Sequence, residues 1–167
     1  MTLLISPVTH TDVEALATLA RIVWQDAYRG LITQAQIDYM LEQRYDTRRL
    51  LDELAMPEVW WDKATLDKEL AAFASSLLTT TPGEMKLDKI YVDPARQRRG
   101  VGDRLIAHVA QRARAQGCTA LILAVNKRNE RAIAAYRKHG FVVREAGCVD
   151  IGNDFVMDDF IMARLLR

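Results

Sequence analysis

Apolar residues recur at helical spacing at Val13, Leu16, Ala17, Ala20, Val23, Trp24 and Ala27, and Thr11 stands three residues before Glu14 in the manner of a capping box. The spacing predicts a first helix over residues 12–28, stopped by Gly30 and preceded by a short strand over 3–8. Thr33 and Gln36 repeat the capping signal ahead of Ile37, Met40 and Leu41, and a further short turn over 48–54 ends before Pro57. The pattern then changes period. Val59-Trp60-Trp61 is rich in strand formers, Asp67-Lys68 is turn-like, and residues 70–79 carry Phe73, Leu77 and Leu78, which together predict an antiparallel hairpin. On propensity alone, Leu70-Ala71-Ala72-Phe73-Ala74 suits a helix equally well.

After the turn dipeptide Pro82-Gly83, a third strand is expected over 85–92, ending at Asp93-Pro94. Val101, Leu105, Val109 and Ala113 then mark one face of a helix over 101–116, with Gly117 as its stop. The unbroken apolar run Leu121-Ile122-Leu123-Ala124-Val125 is the pattern of a strand buried on both faces. Asn129 is placed to cap a second helix that runs through Lys138 to Gly140, before a strand Phe141-Val142-Val143, a turn at Gly152-Asn153 and a last strand over 155–166. No repeat, linker or low-complexity stretch interrupts this order. We expect one α/β domain over 1–167 built on a mixed sheet.

Half of the 167 residues are apolar, enough for a sizeable core, and 23 Lys plus Arg against 22 Asp plus Glu leave a net charge of +1. That balance argues against a polyanion binder driven by net charge, so nucleic acid is not an expected partner. Cys118 and Cys148 form no C-x-x-C pair, and His10, His108 and His139 lie far apart, so no metal site is expected. The stretch Met-Thr-Leu-Leu-Ile-Ser-Pro-Val has no basic n-region, and no window is apolar enough to span a bilayer. The expectation is a cytoplasmic protein with no membrane partner.

The chemistry concentrates in Ile90-Tyr91-Val92-Asp93-Pro94 and Gln97-Arg98-Arg99-Gly100-Val101-Gly102. A strand feeding a glycine-bearing loop that opens a helix gathers unpaired N–H groups and the positive end of a helix dipole at one spot, which cradles anions. Gly100 and Gly102 permit close backbone approach, and Arg96, Arg98, Arg99 and Arg104 supply cations suited to phosphate. The spacing is neither G-x-G-x-x-G nor a P-loop, and the arginines lack the interleaved aromatics of a nucleic-acid face.

Gln97-x-x-Gly100-x-Gly102, followed by Asn129, Ala132, Tyr136 and the pair Gly140-Phe141, resembles the two signatures of the GNAT superfamily of N-acetyltransferases. The sharp resemblance covers residues 90–141. Trp24-Gln25-Asp26-Ala27-Tyr28 and Met157-Asp158-Asp159-Phe160-Ile161-Met162 are also similar to bacterial polyamine-type acetyltransferases. The resemblance implies a central mixed, mostly antiparallel sheet of six to seven strands flanked by helices, and acetyl-CoA as cosubstrate. It places the pyrophosphate on Gln97, Arg98, Arg99, Gly100, Val101, Gly102 and Asp103, and the pantetheine arm along Ile90, Tyr91 and Val92. Asn129 would hydrogen-bond the cofactor, and Tyr136 would protonate the leaving thiolate as general acid.

The base is not identified by the resemblance, because Lys86 stands where many relatives carry a glutamate. Glu84 and Asp88 are the nearby carboxylates, with Asp158 and Asp159 as rivals. Trp24, Tyr28, Asp158 and Asp159 are the expected acceptor contacts, with Asp26 alongside, since carboxylates and π-faces suit an ammonium group. The implied reaction moves an acetyl group directly to a primary amine of a small molecule, with polyamines included. Acetylation of a peptide N-terminus or lysine, and a silent acyl-CoA sensor, are the alternatives. A homodimer is compatible with all of them.

Overall fold

The computed structural model describes residues 1–167. Seven strands form one mixed sheet in the order β1-β2-β3-β4-β5-β7-β6, flanked by helices. The strands are β1 (Leu3–Pro7), β2 (Val59–Leu66), β3 (Glu69–Leu78), β4 (Glu84–Val92), β5 (Ala120–Asn126), β6 (Val142–Gly152) and β7 (Phe155–Leu165). The helices are α1 (Val13–Tyr28), α2 (Gln34–Tyr45), α3 (Thr47–Leu54), α4 (Val101–Ala115) and α5 (Glu130–Lys138). The chain gathers into two compact units, Met1–Leu77 with Lys89–Ala107, and Leu78–Asp88 with His108–Arg167.

In the first unit β1 pairs antiparallel with β2, and β2 with β3. Asp67 and Lys68 both take positive φ, 50° and 72°, the twist a two-residue hairpin needs. The ambiguous run Leu70 to Ala74 is strand. Its position between β2 and β4 buries Ala71, Ala72, Phe73 and Ala74 completely, and that tertiary demand overrides helix propensity. The capping box lies two residues earlier than the Thr11–Glu14 spacing indicates, between Thr9 and Asp12, around a 3-10 turn that leads into α1. The Asp12 carboxylate accepts from the Thr9 N–H at 2.8 Å, and Lys63 Nζ on β2 donates to both of its oxygens at 2.8 Å. A partner fifty-one residues away thus holds the carboxylate of that box. Thr33 caps α2 as expected, accepting from Gln36 N at 3.1 Å.

The core of this unit is aromatic. Trp24 stacks on Tyr28 at 4.3 Å, and Tyr45, Trp61 and Tyr91 surround Phe73 with ring centroids 5.8 to 6.0 Å away. Lys89 is buried among them, its Nζ 5.2 Å from the Trp61 ring centre and 4.0 Å from Glu53, which Arg49 also pairs at 3.1 Å.

In the second unit β4 and β5 run parallel over Glu84↔Ala120 to Lys86↔Ile122, and β5 pairs antiparallel with β7 along its whole length. Leu121, Ile122 and Leu123 are buried in succession, as the apolar run predicts. The strand expected at Phe141-Val142-Val143 extends much further. β6 has eleven residues, because backbone pairing with β7 carries it through Arg144, Glu145 and Asp150, where no apolar alternation marks a strand. The turn that follows lies one residue later than expected, at Asn153 and Asp154, with φ of 54° and 64°. Cys118 is buried, and burial pushes its thiol pKa up, away from the nucleophilic thiolate. No helix is long and apolar enough to cross a membrane.

Candidate functional site

The loop between β4 and α4 is held from both ends. Asp93 N donates to Ala71 O at 2.8 Å, and the Asp93 carboxylate accepts from Ala95 N at 3.0 Å. Gln97 Nε2 reaches back to Val92 O at 3.4 Å. Arg98 and Gly100 take left-handed backbone, φ 64° and 77°, which turns the chain into α4. Gly100 O accepts from Arg104 N at 3.1 Å, so Gly100 is the cap, and Val101 and Gly102 present the first-turn amides that no helical carbonyl precedes.

The two glycines are needed for different reasons. A Cβ on Gly100 would meet nothing within 4 Å, so its φ is what requires glycine. A Cβ on Gly102 would make only an ordinary 3.7 Å contact with Val92 Cγ2, so the fold admits alanine there. The absent side chain instead leaves the backbone open to a ligand, and the loop fits a pyrophosphate on this ground. Arg96 is not available for that purpose, being ion-paired with Glu69 and with Asp93. Arg98, Arg99 and Arg104 are exposed, and Arg99, Gly100, Asp103 and Arg104 line a surface hollow of about 660 Å³. On the strand side, β4 continues to Val92, well past Lys86, which pairs with Ile122 of β5. Ile90, Tyr91 and Val92 lie in this extension. The Tyr91 side chain belongs to the aromatic core, its hydroxyl 2.8 Å from that of Tyr28.

The second motif is a helix with both ends defined. The Asn129 side chain caps α5 by accepting from Ala132 N at 3.2 Å. Tyr136 lies two turns on, half-buried, with its ring edge-on to buried Phe141 at 5.9 Å. Phe141 N donates to Tyr136 O at 3.1 Å, and Gly140 supplies the positive φ, 85°, that closes the helix. The Gly-Phe pair thereby fixes the Tyr136 side chain.

The carboxylates separate clearly. Glu84 is buried and fully engaged, with Arg144 Nη1 donating to one oxygen at 2.8 Å and Thr79 Oγ1 to the other at 2.9 Å. The Arg144 hydrogen bond holds its pKa below the usual glutamate range, against the opposing effect of burial. Asp88 lies 3.4 Å from Lys86 Nζ on the same face of β4. Asp158 is paired with Lys127 at 2.5 Å, and Lys127 also sits 5.8 Å from the Phe160 ring centre. Asp158 and Asp159 are consecutive on β7, so they point to opposite faces of the sheet and cannot share one pocket. Asp26 is on the solvent face of α1, away from buried Trp24 and Tyr28. Trp24 is only 1% exposed, and its indole N–H is buried without a hydrogen-bond partner.

Reasoning from the sequence misses the Lys89–Glu53 pair and the Arg144–Glu84 pair. The first joins residues 36 apart and the second residues 60 apart. No local spacing carries a signal for either. No group of three or more His, Cys, Asp or Glu side chains gathers where it could hold a metal ion.

A glycine-bearing loop at a helix start is followed along the chain by a capped Asn-to-Tyr helix, and comparison with known proteins shows the family to which this chain belongs. Residues 16–141 match the acetyltransferase (GNAT) family, and the chain belongs to it and is an acyltransferase. It is 24% identical over 162 residues to spermidine N(1)-acetyltransferase of Thermoplasma acidophilum, covering 95% of this chain and 97% of that protein. It is 32% identical over 126 residues to the N-alpha-acetyltransferase RimI of Mycobacterium tuberculosis, covering 74% and 77%. Its fold matches the crystal structure of the PaiA N-acetyltransferase from Thermoplasma acidophilum in complex with coenzyme A, with a TM-score of 0.87, 22% identity and 99% of each chain covered.

Proposed function

We propose that the whole chain acts as one acetyltransferase domain in the cytoplasm, moving acetyl from acetyl-CoA directly to a primary amine of a small molecule, polyamines included. The observation that carries this reading is the 97–102 loop, where Gly100 holds left-handed backbone and Gly102 leaves open amides at the start of α4. Acetyl-CoA supplies the activated acyl carbon. The chain's part is to bind the pyrophosphate on the amides of 97–103, assisted by Arg98 and Arg99, and to receive the pantetheine arm along Ile90, Tyr91 and Val92.

Asn129 adds a hydrogen bond to the cosubstrate beyond its role as a cap. Tyr136, oriented by Phe141, gives its phenolic proton to the leaving sulfur. Asp88 is a better base for the incoming ammonium than Glu84, whose oxygens are both occupied and whose pKa is lowered. Trp24 and Tyr28 enter this reading as π-faces for the acceptor's ammonium group, because an indole N–H can only donate and makes no hydrogen bond to an ammonium. Asp159 is a further candidate contact, while the pairing of Asp158 with Lys127 makes its contribution smaller.

The full-length likeness to a spermidine acetyltransferase favours a polyamine. The likeness to an N-alpha-acetyltransferase supports a second reading, a peptide N-terminus. Thiol release from acetyl-CoA, measured with spermidine, amino acids and short peptides, decides between them. Turnover on spermidine well above that on peptides supports the first reading. Turnover on peptides alone overturns it.

A further inference from the structure

The 97–102 loop holds a backbone conformation that its own residues do not favour. Arg98 takes a φ of 64° without being glycine, which a residue with a Cβ adopts only where its surroundings impose it. The ties within the loop do not supply that constraint. Gln97 Nε2 reaches Val92 O only at 3.4 Å, and the 3.7 Å approach of Arg96 Nε to the Asp93 carboxylate joins two residues of the same turn.

Two ties to β3 come from outside the loop. Asp93 N donates to Ala71 O at 2.8 Å, and two residues back along β3 the Glu69 carboxylate accepts a hydrogen bond from Arg96 Nη2. Glu69 is the first residue of β3 and closes the Asp67-Lys68 turn opposite Leu66. That turn is braced in its own right. Both its residues hold positive φ, Asp67 N donates to Thr2 O at 2.9 Å, and Thr2 N donates to the Asp67 carboxylate at 2.8 Å. Arg96 is thereby fastened to a fixed corner of the sheet. Met1, Thr2 and Leu3 line the same hollow as Arg99, Gly100, Asp103 and Arg104, so this corner stands beside the loop.

A carboxylate is an unexpected neighbour for an anion site, since through space its charge opposes a phosphate. The Glu69 side chain is 70% exposed, so burial does not account for it either. Its ion pair with Arg96 acts the other way, by holding the chain just ahead of the strained Arg98. We propose that Glu69 is a positioning residue for acetyl-CoA: through Arg96 it keeps the 97–103 backbone in the arrangement that receives the pyrophosphate. The inference rests on the reading of that loop as the cradle. The two effects of Glu69 differ in sign. If it acts only through its charge, neutralising it strengthens acetyl-CoA binding; if it acts through Arg96, neutralising it weakens binding.

Calorimetry of acetyl-CoA with the full chain tests this at low ionic strength, where both effects are largest. Glu69→Gln should raise the dissociation constant roughly two- to fivefold, the worth of an exposed ion pair, with a melting temperature close to that of the wild type. In an Arg96→Leu background, Glu69→Gln should cause no further weakening, because the tie is already gone. Glu69→Gln that binds as tightly as wild type or more tightly, or that loses as much affinity without Arg96 as with it, overturns the proposal. Gly100→Asp separates that failure from a failure of the cradle itself. Wild-type affinity in Gly100→Asp removes the cradle and this inference together, whereas a loss in Gly100→Asp with none in Glu69→Gln removes this inference alone.

Discussion

The two signature segments present their chemistry in opposite ways. The 97–102 loop works with backbone: its fixed features are two left-handed residues, Arg98 and Gly100, and the amides that open α4, while its arginine side chains point outward. Helix α5 works with side chains, an Asn129 carbonyl at its start and a Tyr136 phenol held against Phe141. A site made of backbone tolerates exchange of its side chains but not of its dihedral angles, whereas one made of side chains can lose its function with a single oxygen. The same contrast separates binding, assigned to the loop, from proton transfer, assigned to the helix.

The largest expected effect falls on the helix. Tyr136→Phe removes one hydroxyl and almost no packing, and turnover under chemistry-limited conditions should fall ~10²–10⁴-fold with acetyl-CoA affinity nearly unchanged. A parallel loss of affinity would erase the distinction between the two segments.

The loop should answer the other way. Gly100→Asp adds strain at a φ of 77° and a negative charge at the anion cradle, and calorimetry should show acetyl-CoA affinity reduced roughly 10- to 100-fold in a folded protein. Gly102→Ala sharpens the point. It should raise stability by up to about 1 kcal/mol, through better helix propensity, while still weakening acetyl-CoA binding. Unchanged affinity in both variants would remove the cradle from the backbone.

Asn129→Ala should lower stability by about 1 kcal/mol through loss of the α5 cap, read as a shifted denaturant midpoint. An additional loss of acetyl-CoA affinity would show that Asn129 has both roles.

The smallest effect concerns Glu84. Its pKa is lowered in the fold, chiefly by Arg144, so its contribution to stability is present above the ordinary glutamate range and is lost as pH falls through that range, ~4.3, toward the lowered value. Glu84→Gln should therefore flatten the fall of Tm with acid while leaving the pH profile of turnover unchanged. A turnover profile that loses its acidic limb in Glu84→Gln, and keeps it in Asp88→Asn, would reverse the assignment of the base.

Much of the fold is legible in the order of residues alone. Helix α1 is readable because seven apolar positions repeat at helical spacing, and α4 and α5 because each begins or ends on a residue with a local backbone role, Gly117 and Gly140 included. The loop chemistry is equally local: glycine spacing determines where a side chain is absent, and absence needs no tertiary partner. Residues 70–74 are ambiguous for the same reason, since alanine is compatible with either period until burial selects one.

The order of the elements, the family signature and the backbone cradle thus follow from the chain sequence directly, because all three rest on interactions between residues a few positions apart. Tertiary structure alone decides which charges meet: Lys63 with Asp12, Lys89 with Glu53, Arg144 with Glu84 and Lys127 with Asp158. It also decides that Asp158 and Asp159 face apart, and that β6 runs eleven residues without an apolar pattern of its own. Long-range ion pairs and strand edges leave no period in a sequence, because the partner that makes them favourable lies tens of residues away and is brought close only by folding.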